Sequence, residues 1–307
     1  MKTNFETQQS SLKIGIGFII LFIIFIGITS YNQRRIFIKS HKLNLQILAI
    51  AKSNQINTFL DSQKEKLVAI ASLNDFKEAV LSPNNPQKIE TAKKTINELK
   101  NVIPGISLLN SDGIVIVGDI DFPGTDYTQH PYFSEKRQDI RFTKYSDPIR
   151  NKEYYAVIGP IYDGNNTIIG RIAFDIELDQ INVIFKQSLE ENTNIELIDN
   201  EGLILGGSIF LDHQNDTEVL VQKDRDLGAR ICLSHLKEYG QTYGIVEYHE
   251  DEIVEYVNHS GLNVFGTHAY VPNIYGCIIA EQRADHVLQF SVADSLKNIF
   301  NPFVSIK

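Results

Sequence analysis

The loop between residues 119 and 138 carries the densest set of side chains that could bind a small molecule. Aromatic faces attract an ammonium group, and tyrosine hydroxyls can orient a polar ligand. Loops of this kind carry function because neighbouring strands position them. The stretch 209–230 holds one aromatic residue and several acidic ones, which make a poorer enclosed site. The aromatic and imidazole side chains of the first loop are Phe122, Tyr127, His130, Tyr132 and Phe133, and the last four are the candidate binding residues.

The sequence contains no Gly-x-Ser-x-Gly nucleophile turn, no phosphate-binding glycine loop and no kinase signature. Six histidines are scattered through the second half without the spacing of a zinc site. We therefore predict a protein that is not an enzyme and that uses no metal or cofactor. These histidines are His213, His235, His249, His259, His268 and His286.

Cys232 and Cys277 are the two cysteines of the chain. Two cysteines are too few for a disulfide-dense scaffold or a four-cysteine zinc ribbon. We favour two buried free thiols, and a disulfide formed in an oxidising compartment is the alternative.

The chain carries 29 Lys and Arg against 38 Asp and Glu, a net charge of −9. This acidic balance excludes a basic footprint for nucleic acid, because phosphate binding needs dense positive charge. The segment 191–260 holds 15 acidic and 4 basic residues. Without metal-ligand spacing, we interpret it as a solvated acidic surface.

Lys13 and Arg34 bracket twenty uncharged residues, 14–33, rich in Ile, Phe and Leu. As a helix they would span about 30 Å, the thickness of a bilayer core. We predict a single-pass transmembrane helix in the cell membrane; a cleaved signal peptide is the alternative. Basic residues after the span favour a cytoplasmic carboxyl-terminal part by the positive-inside rule. The short tail before the span, residues 1–13, leads us to place that tail in the cytoplasm and the soluble domain outside.

Neither Gly nor Pro occurs from Ile28 to Ser82, which predicts one long helix leaving the membrane. Its apolar residues recur at steps of three and four, interrupted by Lys52 and Gln63. Such a stripe packs within its own chain or forms a homodimerising stalk. A shorter helix begins at Pro86, so residues 34–104 form the stalk and a second helix.

Short β-rich runs broken by turns follow, and their pattern occurs twice. The segment 109–115 around Asn110-Ser111-Asp112-Gly113 is echoed by 198–204, a spacing of 89 residues. We predict an α+β fold with two tandem PAS-like modules of antiparallel sheet. The membrane-distal module covers 105–190, the membrane-proximal module 191–290 and a carboxyl-terminal tail 291–307.

Residues 35–290 resemble the double Cache family, the extracytoplasmic sensor regions of bacterial and archaeal chemoreceptors and sensor kinases. The resemblance lies in the order of several stretches rather than in one diagnostic motif. They are 108–115, Gly124-Thr125-Asp126-Tyr127, His130-Pro131-Tyr132-Phe133, 159–163, 169–176, 199–202 and 268–272.

The resemblance implies that Asp175, Tyr132 and Phe133 line a distal pocket for small polar metabolites. Asp175 can hold a ligand ammonium through charge-assisted hydrogen bonds; alternatively, its carboxylate caps the helix that starts at Leu178. Amino-acid-binding members have Arg where this chain has His130, and Trp where it has Tyr132. An imidazole cannot grip a carboxylate as a guanidinium does, which puts an α-amino acid ligand in doubt. Arg141, Lys144 and Arg150 follow and could supply the missing charge.

We predict a membrane-anchored sensory domain that binds an amine, amino acid or carboxylate for signal transduction or chemotaxis. The alternative is a protein-binding module with a vestigial pocket. Because no output module is present, we expect either the sensory part of a longer protein or an anchored binder that acts through a partner.

Overall fold

The computed structural model describes residues 2–121, 123–128, 140–147, 152–186, 193–200, 204–208, 227–239, 253–258 and 261–288. The first element is helix α1, Lys2–Ala71, which contains the predicted segment 14–33 and whose side chains are described from residue 20 onward. Among the described residues, no helix has both the length and the apolarity required of a membrane span.

The long helix ends earlier than predicted. After α1, helix α2 spans Asn74–Leu81 and helix α3 spans Pro86–Leu99. The break falls at Leu73, which adopts an extended conformation and allows α2 to bury Phe76 and Ala79. Neither Gly nor Pro marks this break. The start of α3 is as predicted: Pro86 occupies its first turn and the Asn85 side chain accepts from two backbone N–H groups.

One face of α1 supplies much of the core. Leu45, Ala49, Ile56, Leu60 and Leu67 are almost fully buried there. The two predicted interruptions of the stripe, Lys52 and Gln63, are buried as well. The Lys52 ammonium donates to the Ile184 carbonyl oxygen at 2.6 Å, and burial lowers its pKa. This cation therefore joins α1 to the helix that connects the two sheets.

The first sheet has five antiparallel strands in the order β2-β1-β5-β4-β3. Asn110 accepts backbone hydrogen bonds across the predicted β1–β2 hairpin turn, where Gly113 has φ +86°. Helix α4, Leu178–Lys186, leaves β5 toward the second sheet. The strands are β1 Ser107–Asn110, β2 Val115–Gly118, β3 Arg141–Asp147, β4 Lys152–Tyr162 and β5 Ile168–Glu177.

The second sheet repeats the same order, β7-β6-β10-β9-β8, also antiparallel. Residues 243–248, which the β-rich pattern of the second repeat predicts to be a strand, and the tail 291–307 lie outside the described residues. Helix α5, Leu227–Tyr239, was not predicted. The strands are β6 Thr193–Ile198, β7 Ile204–Gly207, β8 Val254–Val257, β9 Asn263–Val271 and β10 Gly276–Arg283, followed by α6, Ala284–Leu288.

Polar contacts fix α1 against the second sheet. The Ser53 hydroxyl donates to the Tyr270 carbonyl oxygen. The Asn273 amide donates to the Asn57 carbonyl at 3.1 Å and to the Asp61 carboxylate at 3.0 Å. The predicted α+β fold, a long amino-terminal helix followed by antiparallel sheets, is confirmed.

Candidate ligand-binding site

The first sheet has two buried faces with different chemistry. Side chains alternate along a strand, so Ile172, Phe174 and Ile176 of β5 point one way and join the main core with α1. Ala173 lies on the other face, in a small separate cluster with Ala156 and Ile158 of β4. That second face is the candidate site.

Asp175 lies on this second face, opposite Ala156 in the β4–β5 register. It is 7% exposed. The neighbouring side chains on its face, Ala156 and Ala173, are small and buried. A buried carboxylate beside two small alanine side chains is suited to binding a cationic group.

The Pro104–Gly105 turn packs against Asp175. The Asp175 N–H donates to the Pro104 carbonyl at 3.0 Å. Gly105 has φ +68°, and a Cβ on it would lie 2.2 Å from the Asp175 Oδ2 atom. Both facts require glycine at this position. Because α4 begins at Leu178, the N-cap position of that helix falls on Glu177 rather than on Asp175.

Tyr127 closes one side of the face. It packs against the cluster formed by Leu109, Val115, Ala156, Ile158 and Ala173. Its hydroxyl donates to the Asp121 carboxylate at 2.7 Å, and the Ser107 hydroxyl donates to the other oxygen of that carboxylate. Tyr127 is therefore a wall whose hydroxyl is held by the protein itself. Asp121 was not singled out from the sequence.

The chain before Tyr127 runs back along β2. The Val115 N–H donates to the Thr125 carbonyl at 2.9 Å, and the Tyr127 N–H donates to the Gly113 carbonyl at 3.0 Å. Asp126 faces solvent, and a backbone hydrogen bond from Thr128 lowers its pKa. The loop is thus anchored on the sheet before it reaches the predicted site residues His130, Tyr132 and Phe133, which lie outside the described residues.

Arg171 is a second buried charge on the same face, and the sequence interpretation missed it. It is 8% exposed and lies opposite Leu109 of β1 and Pro160 of β4. The alternation of β5 could have indicated it, since residues 171, 173 and 175 share a face.

Three basic residues after the loop were predicted as possible substitutes for the missing charge. Arg141 pairs with Ile158 in the strand register, Lys144 pairs with Tyr155, and Arg150 lies outside the described residues.

The second sheet carries a carboxylate at the position equivalent to Asp175. In the first sheet, Ser107 pairs with Ala173 of β5, and Asp175 lies two residues beyond Ala173. In the second sheet, Glu196, which lies 89 residues after Ser107, pairs with Ile279 of β10, and Glu281 lies two residues beyond Ile279. Glu281 is 1% exposed. Its oxygens accept from the Tyr256 hydroxyl at 2.7 Å and from the Asn258 amide at 2.9 Å. Side chains of the same sheet therefore satisfy this carboxylate.

Helix α5 covers another part of the same face of the second sheet. Cys232 of α5 forms a disulfide with Cys277 of β10, so the favoured interpretation of free thiols was wrong. The disulfide is the alternative that the two cysteines left open, and it forms because α5 places Cys232 against β10. His235 Nδ1 lies 3.3 Å from His268 Nε2. Burial, and next the neighbouring His235, lowers the pKa of His268 to about 4.

A family model described as Cache domain matches residues 33–276. Among curated proteins, none matches the chain by sequence. Similar solved structures show the same fold. The sensor domain of the Vibrio cholerae histidine kinase DctB has a TM-score of 0.59 at 14% identity, over 82% of this chain and 98% of that one.

Two chemoreceptor domains are similar to the same degree. The ligand-binding domain of Campylobacter jejuni Tlp3, solved with L-valine, has a TM-score of 0.57 at 16% identity and covers 83% of this chain and 97% of its own. That of Pseudomonas fluorescens CtaA, solved with L-isoleucine, has a TM-score of 0.58 at 14% identity and covers 85% and 100%. The family match, two sheets of one strand order and the long helix agree: the chain belongs to the double Cache family of sensor domains.

Proposed function

We propose that this chain is the sensory domain of a membrane-anchored receptor and binds a small polar metabolite in its distal module. The ligand is an amine, an amino acid or a carboxylate-bearing metabolite, and its binding serves signal transduction or chemotaxis. The distal module corresponds to residues 105–190 and the proximal module to 191–290. The observation that carries this proposal is the burial of the Asp175 carboxylate on the sheet face that also holds Ala156 and Ala173.

Asp175 contributes the anionic contact to a ligand ammonium. A charge-assisted hydrogen bond in a dry site adds about 1.5–3 kcal/mol. Tyr127 supplies an aromatic wall, and we assign His130, Tyr132 and Phe133 to the remainder of the pocket. The similarity to domains solved with L-valine and L-isoleucine supports a ligand of this size and polarity.

The distal module is the better choice of the two for a ligand site. The equivalent carboxylate of the second sheet, Glu281, is engaged by Tyr256 and Asn258 of its own module. Part of the face around it is covered by α5, which the disulfide attaches to β10. A ligand there would have to enter beside a helix that is covalently attached to the sheet.

We further propose that the first half of α1 anchors the chain in the cell membrane and that the sheets lie outside the cytoplasm. Each residue from Ile20 to Phe25 is a large apolar residue at least half exposed to solvent. The disulfide between Cys232 and Cys277 supports an oxidising compartment, because cytosolic thiols are kept reduced.

We also propose a homodimer formed through the exposed apolar residues of α1. Ile36, Leu43 and Ile47 are spaced by seven and four residues and remain exposed. This spacing places them on one stripe, as in a two-stranded coiled coil.

A thermal-shift panel on the full chain in detergent tests the ligand proposal. The panel contains amines, amino acids and carboxylates, each measured on wild type and on Asp175→Ala. We expect at least one amine or amino acid to raise the melting temperature of the wild type and not that of the variant. If no compound shifts the wild type, the sensory proposal fails and a protein-binding module with a vestigial pocket replaces it.

A further inference from the structure

A groove lies at the carboxyl-terminal end of α1, on the side of β4 that faces this helix. β3 pairs with β4 only as far as Ile158, so within the described strands residues 159–162 continue past the end of β3. Gly159 lies close to α1 there, because a Cβ on it would be 2.3 Å from Leu67 Cδ2 and 3.0 Å from Ile140 Cγ1. The groove is therefore separate from the candidate ligand-binding site, which lies on the other face of the sheet.

Apolar side chains form most of the lining of this groove. Leu67 and Pro160 are buried in it, and Val68 at its rim is 56% exposed. Its volume is about 290 Å³, which holds roughly ten groups of the size of a water molecule at about 30 Å³ each. Ligand sites combine apolar walls of this kind with a few polar groups that fix the orientation of the ligand.

Lys77 of α2 places one positive charge in the lining of the groove, where it is half-buried. The acidic residues beside it on α2 are engaged elsewhere. The Asp75 carboxylate accepts from the Thr95 hydroxyl at 2.7 Å. Glu78 forms an ion pair with Lys88. In the described part of the chain the Lys77 ammonium has neither an ion pair nor a hydrogen bond, so it is available to an anion in the groove.

We propose that this groove binds a free alkyl carboxylate of about six to eight carbons, such as octanoate, with the carboxylate on Lys77 and the chain along Leu67 and Pro160. Burial of the chain supplies affinity, and the charge-assisted contact fixes the orientation. Octanoate has ten non-hydrogen atoms, which matches the volume of the groove. The ligand is a soluble molecule rather than a membrane lipid, because Leu67 lies 34 residues beyond the predicted segment 14–33, about 50 Å along the helix.

Two eight-carbon compounds that differ in their head group test this site. Octanoate carries a carboxylate, whereas 1-octanol is neutral. Binding of each compound is measured by equilibrium dialysis on the full chain in lipid nanodiscs, because a detergent would compete for an apolar groove. Empty nanodiscs give the partition into lipid, which is subtracted. We expect Lys77→Met to bind octanoate roughly three- to tenfold more weakly than the wild type and to bind 1-octanol equally well.

Matched variants keep the test independent of folding. Lys94, an exposed lysine of α3, provides the control Lys94→Met, which should bind octanoate as the wild type does. Val68→Trp fills the groove from its rim without removing a core side chain, since Val68 is 56% exposed, and should abolish binding of both compounds. Lys77→Gln replaces the methionine variant if circular dichroism shows that protein to be unfolded.

The outcomes separate this inference from the proposed function. A wild type that binds no more octanoate than the empty nanodisc overturns the groove site, and so does unchanged octanoate binding in Lys77→Met or in Val68→Trp. Asp175→Ala should bind octanoate as the wild type does. Loss of octanoate binding in Asp175→Ala would place the compound on the other face of the sheet and also overturn the groove site. If octanoate binds as expected while no amine or amino acid does, the groove site stands and the proposed function fails.

Discussion

Replacing Gly105 by alanine tests whether the turn before β1 supports Asp175 as the structure shows. Gly105 has φ +68°, and an added Cβ would lie 2.2 Å from Asp175 Oδ2 and 2.5 Å from its Cγ. The left-handed conformation costs a residue with a Cβ about 1–2 kcal/mol. Overpacking in a well-packed site costs about 1–3 kcal/mol more. We therefore expect Gly105→Ala to lower the free energy of unfolding by about 2–5 kcal/mol.

The variant Gly124→Ala is a control that separates the conformational cost from the cost of overpacking. Gly124 also has a positive φ, +92°, but a Cβ added there meets no atom within 4 Å. Gly124→Ala should cost only the conformational part, about 1–2 kcal/mol. Urea unfolding of both variants measures the difference.

A double-mutant cycle attributes that difference to the carboxylate. In an Asp175→Ala background the two shortest contacts of the new Cβ are gone and only the contact with the residue 175 Cβ, at 3.0 Å, remains, so the cost of Gly105→Ala should fall toward that of Gly124→Ala. If Gly105→Ala is no more destabilising than Gly124→Ala in the wild type, the carboxylate does not lie against the turn and the geometry of the site is wrong.

Two further predictions concern the second sheet. Because the pKa of His268 is lowered to about 4 from its ordinary 6.5, folding disfavours its protonation. Its contribution to stability is complete above pH 6.5 and falls by up to about 3 kcal/mol as the pH decreases toward 4. The stability difference between wild type and His268→Gln should change across this range; a constant difference would contradict the burial argument. The disulfide joins residues 45 apart, so Cys232→Ser with Cys277→Ser should lower stability by about 4 kcal/mol in chemical unfolding, whereas an unchanged unfolding midpoint would deny it a stabilising role.

The sequence predicted those parts of the fold that depend on local patterns. The hairpin signal at Asn110–Gly113 and the 89-residue repeat correspond to two sheets with one strand order, because each module contains its own turn residues and alternation. The helix break at Leu73 could not be predicted, since it depends on burying Phe76 against the rest of the protein rather than on a Gly or Pro.

The site was predictable only in part. Alternation along β5 is visible in the sequence, but the burial of Arg171 is a property of the packed sheet, which the alternation alone does not specify. The role of Asp121 as acceptor for Tyr127 depends on how the loop folds back on β2, which no local pattern specifies. The pairing of Cys232 with Cys277 likewise depends on where α5 lies.

Calorimetry on variants of the two equivalent carboxylates, Asp175 and Glu281, tests whether a small ligand binds in the distal module at Asp175. The full chain is titrated with an amine or amino acid that stabilises it, alongside Asp175→Asn and Glu281→Gln. Asp175→Asn should weaken binding roughly ten- to a hundredfold, and Glu281→Gln should leave the affinity within about twofold. Loss of binding in Glu281→Gln with an unchanged affinity in Asp175→Asn would contradict the claim and place the site in the proximal module.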